Sequence, residues 1–127
     1  MAEAMGEICA KNAALAGEYG RILVSFIRPG PNDLDHQDLI KGAVWGVVRL
    51  CRARPDAAVD AGRLLSAFLT AAEPYTRGLA AWGLSGMGAL PPSHEERLSA
   101  DAAAVTLFWD GRFHRTTVGR LASGEGL

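Results

Sequence analysis

Apolar residues recur three and four positions apart through most of this chain, then switch to alternation near its end. Glu3 to Ala10 is short and helix-friendly. Leu15, Tyr19, Ile22, Leu23, Phe26 and Ile27 follow at helical spacing and predict one apolar face of a helix. That helix must stop at RPGPND, because Pro29, Gly30 and Pro31 cannot continue it. Asp35 is a candidate N-cap for the next helix, whose inward positions are Ile40, Ala43, Val44, Val47, Leu50 and Cys51. Arg49, Arg52 and Arg54 crowd its last turn, where cations meet the negative end of the helix dipole, and Pro55 ends it. Leu64, Leu65, Phe68, Leu69 and Ala72 form the stripe of a further helix that stops before Pro74. Thr76 to Met87 reads as helix again, with Ala80, Ala81, Leu84 and Met87 inward. Ser93 with Glu96 three residues on is a capping-box pattern for a short helix.

From Val105 to Val118 the pattern becomes VTLFW-DG-RFHRTTV. Asp-Gly supplies the positive φ values of a two-residue type I′ turn, so the segment reads as a β-hairpin. With that turn Val105, Leu107 and Trp109 share a face with Arg112, His114 and Thr116. The tail from Gly119 adds a last short helical turn before fraying.

The helical part repeats itself. GAVWGVVRLCRARP (Gly42 to Pro55) and LAAWGLSGMGALPP (Leu79 to Pro92) both carry Trp-Gly and both end in proline ten residues after the tryptophan. Trp45 and Trp82, Gly46 and Gly83, and Pro55 and Pro92 share one offset of 37 residues. Ala43 aligns with Ala80, Val47 with Leu84 and Leu50 with Met87, so the inward positions coincide too. A period of this length is that of a helix–turn–helix repeat, in which each hairpin buries its apolar face against the next. Gly46 and Gly83 each cost about 1 kcal/mol of helix stability relative to alanine. Close approach of a neighbouring helix is the expected compensation. Chance alignment in a chain with fifteen glycines is the competing explanation.

EPYTRGLAAWGLSGMG (Glu73 to Gly88) resembles the HEAT-like repeat of phycobilisome-lyase-type and many other bacterial proteins. That repeat reads acidic-Pro-x-Val-Arg-x-x-Ala-Ala-x-Ala-Leu-Gly. Glu73, Pro74, Arg77, Ala80, Ala81 and Leu84 match it, while Thr76 stands for the valine, Gly83 for the alanine and Ser85 for the glycine. In the earlier copy Ala43, Val47 and Leu50 fit, but Ile40 occupies the arginine position. Glu73 and Arg77 are also four apart, a favourable helix pair. Most of the chain is similar to HEAT-like proteins of anaerobic bacteria, which carry more residues ahead of the segment matching EAMGEI (Glu3 to Ile8). With the repeat and the hairpin read above, the resemblance leads to the expectation of a mostly α, α-α superhelix of HEAT-like hairpins in one domain over residues 1–127, with helical repeats over about 3–100 and a β-hairpin cap over about 104–118. It also implies a shortened member of the family, or the C-terminal portion of one, with an apolar face open at the N-terminal end.

Composition narrows the function without choosing it. The chain has 127 residues, 49% of them hydrophobic and 21% charged, which suits one folded domain and excludes a disordered one. Its net charge of −1 and lack of a basic block leave no electrostatic footprint for nucleic acid or anionic membranes. The N-terminal residues lack the pattern of a signal peptide and no apolar run is long enough to cross a bilayer, so a cytoplasmic location is expected. Cys9 and Cys51 form no CxxC and read as small buried residues.

Candidate chemistry is sparse. GLSGMG (Gly83 to Gly88) lies inside a helical pattern with no preceding strand, so it reads as helix packing and termination rather than a phosphate loop, and Ser85 lacks the context of a nucleophile elbow. His36 beside Asp33, Asp35 and Asp38 suggests a metal site or, with fewer assumptions, a polar loop capping a helix. His94 in HEER fits a solvated first turn, and His114 falls in the hairpin opposite Leu107. No cofactor is implied. Trp109, Phe108 and Phe113 with Arg112, Arg115 and Arg120 could stack single-stranded nucleic acid, but a solvated hairpin face explains them as well. Trp45 and Trp82 fit core packing, or anchors on a concave contact surface. The expectation is a non-catalytic scaffold for a protein partner or self-association, using Trp45, Trp82, Arg49, Arg77, Trp109 and Arg112. An enzyme or enzyme accessory of lyase type and a nucleic-acid-binding repeat protein are the alternatives.

Overall fold

The computed structural model describes residues 2–25, 27, 37–54, 61–109 and 111–123. Six helices come first: α1 (Ala2–Lys11), α2 (Ala13–Ser25), α3 (Gln37–Ala53), α4 (Ala61–Ser66), α5 (Pro74–Gly86) and α6 (Pro92–Ser99). Strands β1 (Ala104–Trp109) and β2 (Arg112–Thr117) then form a two-stranded antiparallel sheet, and α7 (Val118–Ala122) follows. The chain is thus mostly helical with a small C-terminal hairpin. The candidate N-cap Asp35, the breakers Pro29, Gly30 and Pro31, and Pro55 lie outside the described residues.

Helices α1, α3, α5 and α7 lie in succession, each packed on the next. Helix α2 packs on α1 and α3, α4 mainly on α5, and α6 on α7. Ala43, Val44, Trp45, Val47, Val48, Leu50 and Cys51 of α3 are all buried, as is α5 from Gly78 to Leu84. A helix apolar on all sides is one covered on both flanks. The one-face expectation for α3 and α5 therefore understated their burial.

The repeated tryptophans meet. Trp45 and Trp82 stack on one another with ring centroids 6.3 Å apart and planes 27° apart. The repeated glycines sit where helices approach closely. A methyl group on Gly6 would lie 2.5 Å from the Gly46 Cα, so α1 and α3 cross backbone to backbone. Gly83 faces Val48 of α3 and Leu65 of α4. Helix α5 ends at Gly86, and just beyond it Gly88, with a φ of +66°, turns the chain while the Ala89 N–H reaches back to the Leu84 carbonyl at 2.9 Å. GLSGMG thus packs a helix and then ends it.

Helix α2 buries Ala16, Gly20 and Val24, with Ile27 just beyond its end, while Tyr19 and Ile22 of its apolar stripe are exposed. Three expectations need correction. Helix α4 stops at Ser66 instead of running to Ala72. Beyond it the chain tightens to three-residue turns, such as Phe68 N–H to Leu65 carbonyl and Ala71 N–H to Phe68 carbonyl. Arginines satisfy the carbonyls this leaves: Arg97 donates to Leu69, and Arg77 to Ala71 and Ala72. Helix α6 has no capping box. Its N-cap is Pro91, whose carbonyl accepts from His94 and Glu95, and Pro92 fills the first turn where no N–H is needed. Finally, Glu73 pairs with Lys41 at 3.4 Å and Arg77 with Asp101 at 2.8 Å, not with one another.

The hairpin has the expected register, from Ala104 opposite Thr117 to Trp109 opposite Arg112. Gly111 has a φ of +80°, as a two-residue turn demands, and Asp110 lies outside the described residues. Val105, Leu107 and Thr116 point into the core while Phe108 and Phe113 point out. Helix α7 is more than a fraying tail. Val118, Gly119, Leu121 and Ala122 are buried, and the Thr117 hydroxyl caps the helix by accepting from Arg120 N–H.

Candidate functional site

The residues singled out in the sequence divide into interior and surface. Trp45 is 6% exposed and Trp82 1%, so both rings are spent on each other inside the molecule. Arg52 lies over the Trp82 ring, 4.4 Å from its centroid, and its Nη1 donates to the Trp82 carbonyl at 2.9 Å. Burial and the neighbouring Arg49 charge both lower the Arg52 pKa. Arg49 forms a two-pronged pair with Glu7, Nε to Oε1 at 2.7 Å and Nη2 to Oε2 at 3.0 Å, tying α3 to α1. Arg54 donates from Nε to the Cys9 carbonyl at 2.9 Å. Arg77 holds Asp101 and the turn before its own helix. Four of the six expected contact residues are therefore internal ties: Trp45, Trp82, Arg49 and Arg77. Arg112 is exposed beside the hairpin turn, and Trp109 is placed only by its backbone pairing, its ring lying outside the described side chains.

The groups that could do chemistry are dispersed or occupied. Among the described residues no three His, Cys, Asp or Glu gather where a metal ion could be held. His36, Asp33 and Asp35 lie outside the described residues, as does the side chain of Asp38. The His94 Nδ1 accepts from Arg97 at 3.0 Å, and His114 is half-buried opposite Leu107. Burial pushes the Cys51 thiol up to about 12, far from a reactive thiolate. Burial also raises Cys9, against a smaller opposing effect of Arg54. A shallow depression of about 400 Å³ is bordered by Ser99, Asp101, Thr117, Arg120 and Ser123. Three of its polar side chains are engaged within the protein: Asp101 accepts from Arg77 and Ala103 N–H, Thr117 from Arg120 N–H, and Ser123 donates to the Arg120 carbonyl. Arg77 also holds the Asp101 carboxyl below its ordinary range.

What the described surface does offer is apolar. Ile8 of α1 (51% exposed) and Tyr19 and Ile22 of α2 stand out at one end of the helix succession. Phe108 and Phe113 stand out on the hairpin at the other. The periodicity had flagged Tyr19 and Ile22 as part of one apolar helix face. No signal flagged Ile8.

No protein-family model, curated protein or solved structure matches this chain.

Proposed function

We propose that this chain is a non-catalytic, HEAT-like helical-repeat scaffold that binds a protein partner or a second copy of itself. The repeat reading is supported by the succession of α1, α3, α5 and α7, by the stacking of the two repeated tryptophans, and by Arg77. This arginine, at the position the HEAT-like pattern reserves for arginine, donates back into the turn ahead of its own helix. The buried Thr76 fits the same pattern, where valine is usual, since its hydroxyl finds no hydrogen-bond partner among the described residues.

One observation carries the binding role. Helix α2 buries its small residues and leaves Tyr19 and Ile22 in solvent, as Ile8 is on the adjoining α1. A repeat stack that ends in uncovered apolar side chains buries them by adding a neighbour. Light scattering over a concentration series, with and without Tyr19→Glu/Ile22→Glu, tests this. A dimer that the double variant abolishes supports self-association through this face. A strict monomer for both, with no partner whose binding the double variant weakens, would remove the reading.

A further inference from the structure

The hairpin carries a second surface with its own chemistry. Its outward face holds three cross-strand pairs: Ala104 with Thr117, Thr106 with Arg115, and Phe108 with Phe113. The phenyl rings meet edge to face, centroids 5.1 Å apart, yet remain 59% and 73% exposed. An aromatic cross-strand pair steadies a hairpin. Here, however, Val105, Leu107 and Thr116 on the opposite face already seat the hairpin on the core. Two large rings left in solvent, with arginine beside them, match the composition of interface centres.

Charge says what kind of partner fits. Residues 104–123 carry three arginines (Arg112, Arg115 and Arg120) against one aspartate, whereas the whole chain is net −1. Arg115 lies two residues from Phe113 on the same face, and the exposed Arg112 precedes it at the turn. Glu7, Glu73 and Asp101 are engaged elsewhere, with Arg49, Lys41 and Arg77. Nucleic acid fits less well. The rings lie 63° apart against each other, so they do not offer two parallel shelves for successive bases. We infer that the outward face of the hairpin docks an acidic segment of a partner protein, its apolar side chain seated on Phe108 and Phe113 and its carboxylates reaching Arg115.

The test selects a random dodecapeptide library on the full chain, with counter-selection on the Phe108→Ser/Phe113→Ser variant. The expected winners are acidic peptides with one large apolar residue. Their affinity should fall about tenfold with Arg115→Glu and weaken as salt rises. Thermal melting should stay unchanged for Arg115→Glu, which touches only an exposed position. Tyr19→Glu/Ile22→Glu, at the other end of the molecule, should leave peptide binding intact, which separates this inference from the scaffold reading. No enrichment over the variant, winners that are neutral or basic, or winners indifferent to Arg115→Glu would overturn it. So would Phe113-dependent binding of an oligothymidine probe, or Phe113-dependent self-association.

Discussion

Gly6 and Gly17 are both helical glycines, and the same substitution should act on them in opposite directions. A methyl group on Gly6 would press on the backbone of Gly46 at 2.5 Å, and backbone cannot rotate away as a side chain can. Overpacking of this kind costs about 1–3 kcal/mol, more than the ~1 kcal/mol that alanine gains in helix propensity. Gly17 has nothing within 4 Å and faces solvent, so Gly17→Ala keeps that gain. Urea unfolding of the two variants should therefore show a lowered midpoint for Gly6→Ala and a raised one for Gly17→Ala. A raised midpoint for Gly6→Ala would mean that α1 and α3 do not cross as described. Gly46 and Gly83 were legible beforehand because each follows a tryptophan at a repeated offset. Gly6 follows methionine and belongs to no such pair, so its role emerges only from the crossing itself.

At the scale of elements, the spacing of apolar residues located helices well but did not mark the small residues by which α2 packs. A periodicity analysis weights large side chains, whereas the buried positions of α2 include Ala16, Gly20 and Val24. It also missed that α7 closes the core, because Val118, Leu121 and Ala122 span too short a stretch to show a period. Long-range ties such as Arg77 to Asp101 were invisible for a similar reason: local spacing offered Glu73 instead. That tie joins the first turns of α5 to the segment between α6 and β1, and it makes stability depend on acid. The Arg77 hydrogen bond holds the Asp101 carboxyl below its ordinary 3.8, with the Ala103 N–H helping and burial opposing. A depressed carboxyl stabilises fully above its unfolded pKa, and that contribution is lost as pH falls through the folded value. Asp101→Asn should therefore unfold at lower urea than the parent above about pH 4, and the gap should close as the pH drops below that. Unfolding curves at pH 7, 5, 3 and 2 measure it; a gap that ignores pH would show that the charge of Asp101 is not what matters.

At the scale of the whole molecule, α1, α3, α5 and α7 pack in succession. Helix α1 rests mainly on α2 and α3, while α7 rests on α5, α6 and β2, so the two ends are joined chiefly through α3 and α5. In such an arrangement each unit is stabilised by its neighbours, and damage at one end need not reach the other. Amide hydrogen exchange can see this, because it reports local and sub-global opening segment by segment. In the parent chain α3 and α5, covered on both flanks, should exchange most slowly. Gly6→Leu forces a bulky side chain into the α1–α3 crossing and should prise the N-terminal pair loose. Amides of α1 and α2 should then exchange fast while α5, β1 and α7 keep their protection. Uniform loss of protection across all elements would instead mean that one indivisible core holds the chain together. The repeat offset of 37 residues would then record a shared packing motif in α3 and α5 rather than units that can be added and removed.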